Sequence, residues 1–140
     1  MQTEYTVEIA HRRIQRSNEE WKSILTPEQF HVMREKGTER AFTGKLLHND
    51  KAGVYACAAC ETELFDADQK YDSGSGWPSF TAPLSPKLIK KQDDYSFGIH
   101  RIEALCGCCD SHLGHVFQDG PAPEGLRYCM NSIALKFDER

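Results

Sequence analysis

Six cysteines hold most of the reactive chemistry available to this chain. Four of them form two Cys-x-x-Cys pairs, Cys57-Ala-Ala-Cys60 and Cys106-Gly-Cys-Cys109. Thiolates at this spacing can turn toward one ion at about 2.3 Å, and two such knuckles complete a tetrahedral four-sulfur zinc site. The long intervening stretch makes this a clamp between loops distant in sequence. Four thiolates leave no open coordination position, so one structural Zn2+ is expected, held by Cys57, Cys60, Cys106 and Cys109. Structural disulfides and a thioredoxin-like redox pair are the alternatives. The first suits an oxidising compartment, and the second needs a βαβ context that neither pair has. Cys108 is left over beside Cys109, either as a spare packing residue or as a second redox thiol.

The sixth cysteine, Cys129, stands alone in Leu126-Arg-Tyr-Cys-Met-Asn-Ser-Ile-Ala-Leu-Lys-Phe137. Read as one alternating strand, this stretch puts Arg127, Cys129 and Asn131 on a face with Ile133, Leu135 and Phe137. A thiol between a cation and an amide is placed for chemistry, although a lone cysteine is also a common core residue. Two further stretches could serve it. Gly74-Ser-Gly-Trp-Pro-Ser-Phe80 presents Trp77 on a glycine-rich turn, where an indole can seat a small apolar group. His112-Leu-Gly-His115-Val-Phe117 supplies two imidazoles that can stabilise a thiolate or protonate a leaving oxygen. Each part also has an ordinary structural reading, as a satisfied polar residue or a core plug.

The elements that must position these groups are legible in outline. Ser17-Asn-Glu-Glu20 is a capping box that starts a short helix through Trp21 and Ile24. Thr26, Pro27 and Gln29 start a second helix, with Phe30 and Met33 on its apolar face. Gly37 is expected to end it in the left-handed conformation. From Ala41 onward, glycine, proline and Asn/Asp turn signals recur between short strand-like runs: Val54–Cys57, Ser96–Leu105, His115–Gln118 and Leu126–Phe137. The class is therefore mainly β, two antiparallel sheets in a sandwich or partial barrel with short N-terminal helices outside and a zinc clamp. Residues 1–16 read as a loosely ordered extension, and 17–140 as a single catalytic domain.

With 140 residues the chain can bury a core without disulfide staples. Its formal charge of −4 gives no basic footprint for nucleic acid, and its apolar runs are too short for a membrane span. The first sixteen residues lack the apolar core of a secretory signal, so a cytoplasmic setting is expected.

Taken together, the motifs resemble those of the B-type methionine sulfoxide reductases, from about Trp21 to Phe137. The resemblance rests on Phe42-Thr-Gly, both Cys-x-x-Cys pairs, Tyr71-Asp-Ser-Gly, Gly76-Trp-Pro-Ser-Phe80, His112-Leu-Gly-His-Val-Phe117, Asp119-Gly-Pro121 and Arg127-Tyr-Cys-Met-Asn-Ser132, in that order. It implies reduction of the R epimer of methionine sulfoxide, free or in proteins, with Cys129 as nucleophile passing through a sulfenic acid. It implies that Trp77 receives the methyl group, that His112, His115 and Asn131 hold or protonate the oxygen, and that Phe117 and Arg127 line the site. Thioredoxin or another thiol would be the reductant. Many members carry a resolving cysteine where this chain has Ser75, which leaves an external thiol or Cys108 to reduce the sulfenic acid. The rival from another class is a zinc-organised binding module on the same scaffold. A zinc hydrolase or deaminase is disfavoured, because neither His-Glu-x-x-His nor His-x-Glu with Pro-Cys-x-x-Cys is present.

Overall fold

The computed structural model describes residues 13–140. Two capped helices open it. In α1 (Asn18–Ile24) the Ser17 hydroxyl accepts from the Glu20 amide and the Glu20 carboxylate accepts from the Ser17 amide. Thr26 and Gln29 repeat the arrangement at α2 (Pro27–Arg34), with proline at the first helical turn. Each box satisfies two amides that no helical carbonyl can reach. The helices bury Trp21, Phe30, Val32 and Met33, and α2 lies against the rest of the core. Arg16 and Arg34 both stack on the Trp21 ring, at 5.6 and 5.0 Å. Of the expected N-terminal extension, residues 1–12 lie outside the described residues. Arg13 and Ile14 hydrogen-bond to the second knuckle, at the carbonyls of Gly107 and Cys108.

Nine strands follow, all paired antiparallel. They are β1 (Gly53–Cys57), β2 (Glu63–Asp66), β3 (Lys70–Tyr71), β4 (Ser79–Phe80), β5 (Ile89–Asp94), β6 (Arg101–Cys106), β7 (His112–Phe117), β8 (Arg127–Met130) and β9 (Leu135–Glu139). One sheet has the order β2-β1-β9 and the other β3-β4-β8-β7-β6-β5. Aromatic rings join them. Phe65 stacks on Phe80 at 4.3 Å, Tyr55 meets Phe80 at 5.1 Å, and Tyr128 stands edge-on to Phe65. Among the described residues no helix is long and apolar enough to cross a membrane.

The expected class is what the structure shows, with local corrections. Leu126–Phe137 is not one strand. It divides into β8 and β9, which belong to different sheets, joined by a 3-10 turn at Ser132–Ala134. Asn131 forces the break, because its amide nitrogens, backbone and side chain, both donate to the Leu113 carbonyl. Cys129 therefore does not share a sheet face with Ile133, Leu135 and Phe137. At the end of α2 the left-handed residue is Lys36 (φ 58), and Gly37 serves space instead, since a Cβ there would lie 2.4 Å from the His31 ring. Ser96–Gly98 is a 3-10 turn, and the strand expected over Ser96–Leu105 begins only at Arg101. The run expected from His115 to Gln118 starts earlier, at His112, and β2, β4 and β5 are strands without a clear apolar alternation.

Gly114 in β7 is where the sheet around Cys129 is tightest. A Cβ on it would stand 2.0 Å from the Cys129 carbonyl oxygen, an atom fixed in the backbone. Gly114→Ala should therefore destabilise by about 1–3 kcal/mol, the usual range for overpacking. It should also displace Cys129. A denaturant midpoint and an alkylation rate at Cys129, both unchanged in G114A, would contradict this.

Candidate active site and metal centre

The two knuckles are built alike. In each, the amide of the first cysteine donates to the carbonyl five residues on, Cys57 to Thr62 and Cys106 to Ser111. In each, the residue after the last cysteine is left-handed, Glu61 at φ 65 and Asp110 at φ 62, and its amide returns to the first cysteine's carbonyl. A hydroxyl lies 3.1 Å from the last sulfur in both, Thr62 on Cys60 and Ser111 on Cys109. The four sulfurs converge within 4.8 Å of one another, with Cys57–Cys109 at 3.7 Å and Cys60–Cys106 at 3.6 Å. A tetrahedron of sulfurs about 2.3 Å from a central zinc has edges of about 3.8 Å, so the donor set fits such an ion. The cluster joins the end of β1 to the β6–β7 hairpin, and hence one sheet to the other.

Cys129 lies in the middle of β8, flanked in register by Ser79 on β4 and His115 on β7. Residues directly opposite point to the same face, so Cys129 and His115 must share one, together with Arg127 and its partner Phe117. The other face carries Tyr128 and Met130 into the core. Two histidines three apart on a regular strand would face opposite ways. A bulge, where Ala104 opposes Gly114 but Leu105 opposes His112, turns His112 back to the side of His115. Their rings meet edge to face at 5.4 Å.

A cavity of about 120 Å3 opens on this face, lined by Ser75, Trp77, His115, Phe117, Arg127 and Cys129, with Thr38, Arg101, Gly114, Met130 and Asn131 completing it. Trp77 is half-buried and fixed by its Nε1, which donates to the Glu39 carbonyl at 3.0 Å. Asn131 is also fixed: its Oδ1 accepts from the Glu39 amide at 2.9 Å. Glu39 thus ties the indole to the Asn131 turn, and its carboxylate accepts from the Ile133 amide besides. His112 is buried behind the cavity and does not line it. Cys108 is 2 % exposed, stands in the core beside the sulfur cluster, and does not line the cavity either.

Sequence reasoning missed two carboxylates. Asp94 accepts from His115 Nε2 at 2.8 Å, and Glu103 from His112 Nδ1 at 2.7 Å. Each fixes one ring and its tautomer, as carboxylates behind imidazoles commonly do. Donation from the Ser96 hydroxyl, then from His115 and the Ser96 amide, holds Asp94 well below the usual carboxylate range. The signal available was Glu103 itself, an acid inside the apolar run Ile102-Glu-Ala-Leu-Cys106. Nothing in the sequence marked Glu39 or Thr38.

The electrostatics of Cys129 are a contest. Burial pushes its thiol above the ordinary range, while the Arg127 charge and a hydrogen bond from Ser75 pull it down. Arg127 acts at a discount, because it is engaged with Asp119 at 2.8 and 3.1 Å and stacks on Phe117 at 4.4 Å. The Ser75 hydroxyl belongs to a short chain of three: Ser73 bridges Ser75 and Ser79, each at 2.8 Å.

This site is a single half-buried cysteine in a small aromatic-walled pocket, on a two-sheet β domain stapled by four sulfurs. That architecture defines a class of small, mainly β domains that present one thiol to a pocket. The family model described as the SelR domain matches residues 25–139, and the chain belongs to that family. A relative from Methanosarcina barkeri is 54% identical over 92% of this chain and 91% of its own length. One from Leptospira interrogans is 56% identical over 90% of this chain and 96% of its own. One from Pseudomonas aeruginosa is 53% identical over 91% and 97%. All three are named peptide methionine sulfoxide reductase MsrB.

Two outcomes follow from this geometry. Cys57→Ala should lose a bound ion and melt at markedly lower temperature, whereas Cys108→Ser should keep the ion, as elemental analysis and circular dichroism would show. Arg127→Met should move Cys129 alkylation to higher pH, and Asp119→Asn, which frees the guanidinium, should move it to lower pH. A pH profile of alkylation that is the same in both variants would refute the assigned balance of charges.

Proposed function

We propose that this chain reduces the R epimer of methionine sulfoxide to methionine, as repair of oxidised protein, with Cys129 as the nucleophile. The observation that carries the reading is the register that places Cys129 opposite His115, inside a pocket walled by Trp77. The Cys129 sulfur attacks the sulfoxide sulfur while the oxygen takes a proton from the histidine side of the pocket. The sulfur–oxygen bond to methionine breaks, the oxygen passes to Cys129, and the products are methionine and a cysteine sulfenic acid. The thiol's own proton balances the one delivered to oxygen. Trp77 offers its apolar face to the methyl group, Phe117 and Arg127 complete the lining, and Asn131 fixes the wall behind.

A raised thiol proton affinity has a direct consequence for rate. The thiolate fraction of the free protein rises with pH through the Cys129 pKa, so turnover rises over the same window. His112, lowered by burial against the pull of Glu103, stays neutral there.

Zn2+ is the ion best suited to the four-sulfur cluster, and its role is to hold the sheets together, away from the chemistry. The sulfenic acid is reduced by an external thiol, thioredoxin or a smaller one, because Ser75 cannot form a disulfide and Cys108 is enclosed beside the clamp. The remaining assignments are a single catalytic domain over 17–140 and a cytoplasmic site of action, which the commitment of four cysteines to one cluster supports.

The test is a thiol-coupled assay on separated R and S epimers of a methionine sulfoxide peptide. Turnover of R alone is expected, abolished in Cys129→Ser with fold and zinc content retained. Turnover of S alone, or of neither, would refute the proposal. One equivalent of substrate without reductant should leave a sulfenic acid that a dimedone-type reagent traps, with no cross-link from Cys129 to Cys108 in the peptide map.

A further inference from the structure

A buried charge lies behind the pocket that the reaction just described does not use. Glu103 is fully buried on β6, yet a carboxylate can remain there only if its charge is matched. Two groups match it from different directions. Its Oε2 is 2.7 Å from His112 Nδ1, and its Oε1 is 3.2 Å from the Lys36 ammonium. Among the described residues no hydrogen bond reaches Oε1, and the lysine meets it as a charge. Lys36 is the non-glycine residue that ends α2 in the left-handed conformation, and its stem is half in water while its tip reaches the fully buried acid. A strained backbone position and a long side chain are both given over to one buried oxygen.

We infer that Glu103 is a positioning residue for the active site, and that Lys36, Glu103 and His112 form a relay that sets how readily His112 takes a proton. The inference rests on the reductase reading above and names residues that it leaves without a role. With Nδ1–H given to Glu103, the neutral His112 ring carries its acceptor nitrogen on the side away from the acid. His115 packs against that ring edge to face and lines the cavity directly. A proton leaving the Cys129 thiol for the sulfoxide oxygen crosses this pair's surroundings, and an imidazolium formed on His112 is stabilised by Glu103.

Among the described residues, four charged or titratable groups stand around His112. Glu103 approaches from β6, Lys36 from the end of α2, and His115 from its own strand, with Asp94 beyond His115 on β5. Burial lowers the proton affinity of His112 most, Glu103 raises it, and His115 and Lys36 lower it again. The acid and the ammonium thus act on one ring in opposite senses, and removing them must move it in opposite directions. A contact that served only stability would move the ring's titration without moving kcat or its pH profile.

The experiment is an NMR titration of His112 together with the pH dependence of kcat/KM on an R-sulfoxide peptide, for Glu103→Gln and Lys36→Met. In E103Q the His112 titration, and the step of the profile that follows it below the Cys129 ionisation, should move to lower pH, and kcat should fall about tenfold with little change in KM. In K36M both should move to higher pH. Glu103→Asp should restore part of the kcat lost in E103Q. Melting temperature and zinc content serve as fold controls, and if E103Q fails to fold, the K36M shift decides alone. Shifts in the same direction, or a uniform loss at every pH, would overturn the relay. If the wild-type protein reduces neither epimer, the reductase reading fails, while the His112 titrations still decide whether this relay exists.

Discussion

A β-strand shows a given face only at every second residue, and the arrangement of this site depends on that alternation. Cys129 can meet His115 because they are partners across β7 and β8, and Arg127 can meet Phe117 for the same reason. The alternate residues, Tyr128 and Met130, are thereby committed to the core. A slip of one residue in this pairing would bury the thiol and expose the core. Gly114 guards the register from the other side, since the strands approach too closely there for any side chain. The bulge beside it is the one departure from strict alternation in β7, and it recruits the second histidine.

The charged groups around this face fall into two layers. Nearest the cavity, Arg127 is shared between Cys129 and Asp119, so its field on the thiol is moderated. Behind, Asp94 and Glu103 hold one imidazole each. Asp94 is satisfied by Ser96 and flanked by Arg101, whereas Glu103 relies on a lysine from another part of the chain. Two chemically similar His–carboxylate pairs therefore sit in different electrostatic surroundings.

Much of this was legible in the residues, and the exceptions have physical causes. The capping boxes at Ser17 and Thr26 are local, and local hydrogen bonding decided both helix starts. Paired Cys-x-x-Cys spacing was enough to foresee the sulfur cluster, because the ligand geometry is short-range within each knuckle. The break between β8 and β9 was hidden, since Asn131 is held by Leu113 and Glu39, neither of which is near it in sequence. For the same reason Glu39 was invisible: two of its three ties to the site use its backbone, which carries no residue signature. The left-handed Lys36 overrode the usual preference for glycine because its neighbour Gly37 was needed for space against His31.

The contacts of Glu39 also bear on the order in which the molecule assembles. Its bonds to Trp77, Asn131 and Ile133 close loops of 38, 92 and 94 residues. Closing long loops is entropically costly and slow relative to forming local hairpins. The β6–β7 and β7–β8 pairings join neighbours in the chain and can bring Cys129 beside His115 without the N-terminal segment. The aromatic wall needs that segment in place. By loop length alone, the thiol–imidazole pair is the less costly part of the site to close and the substrate pocket the more costly.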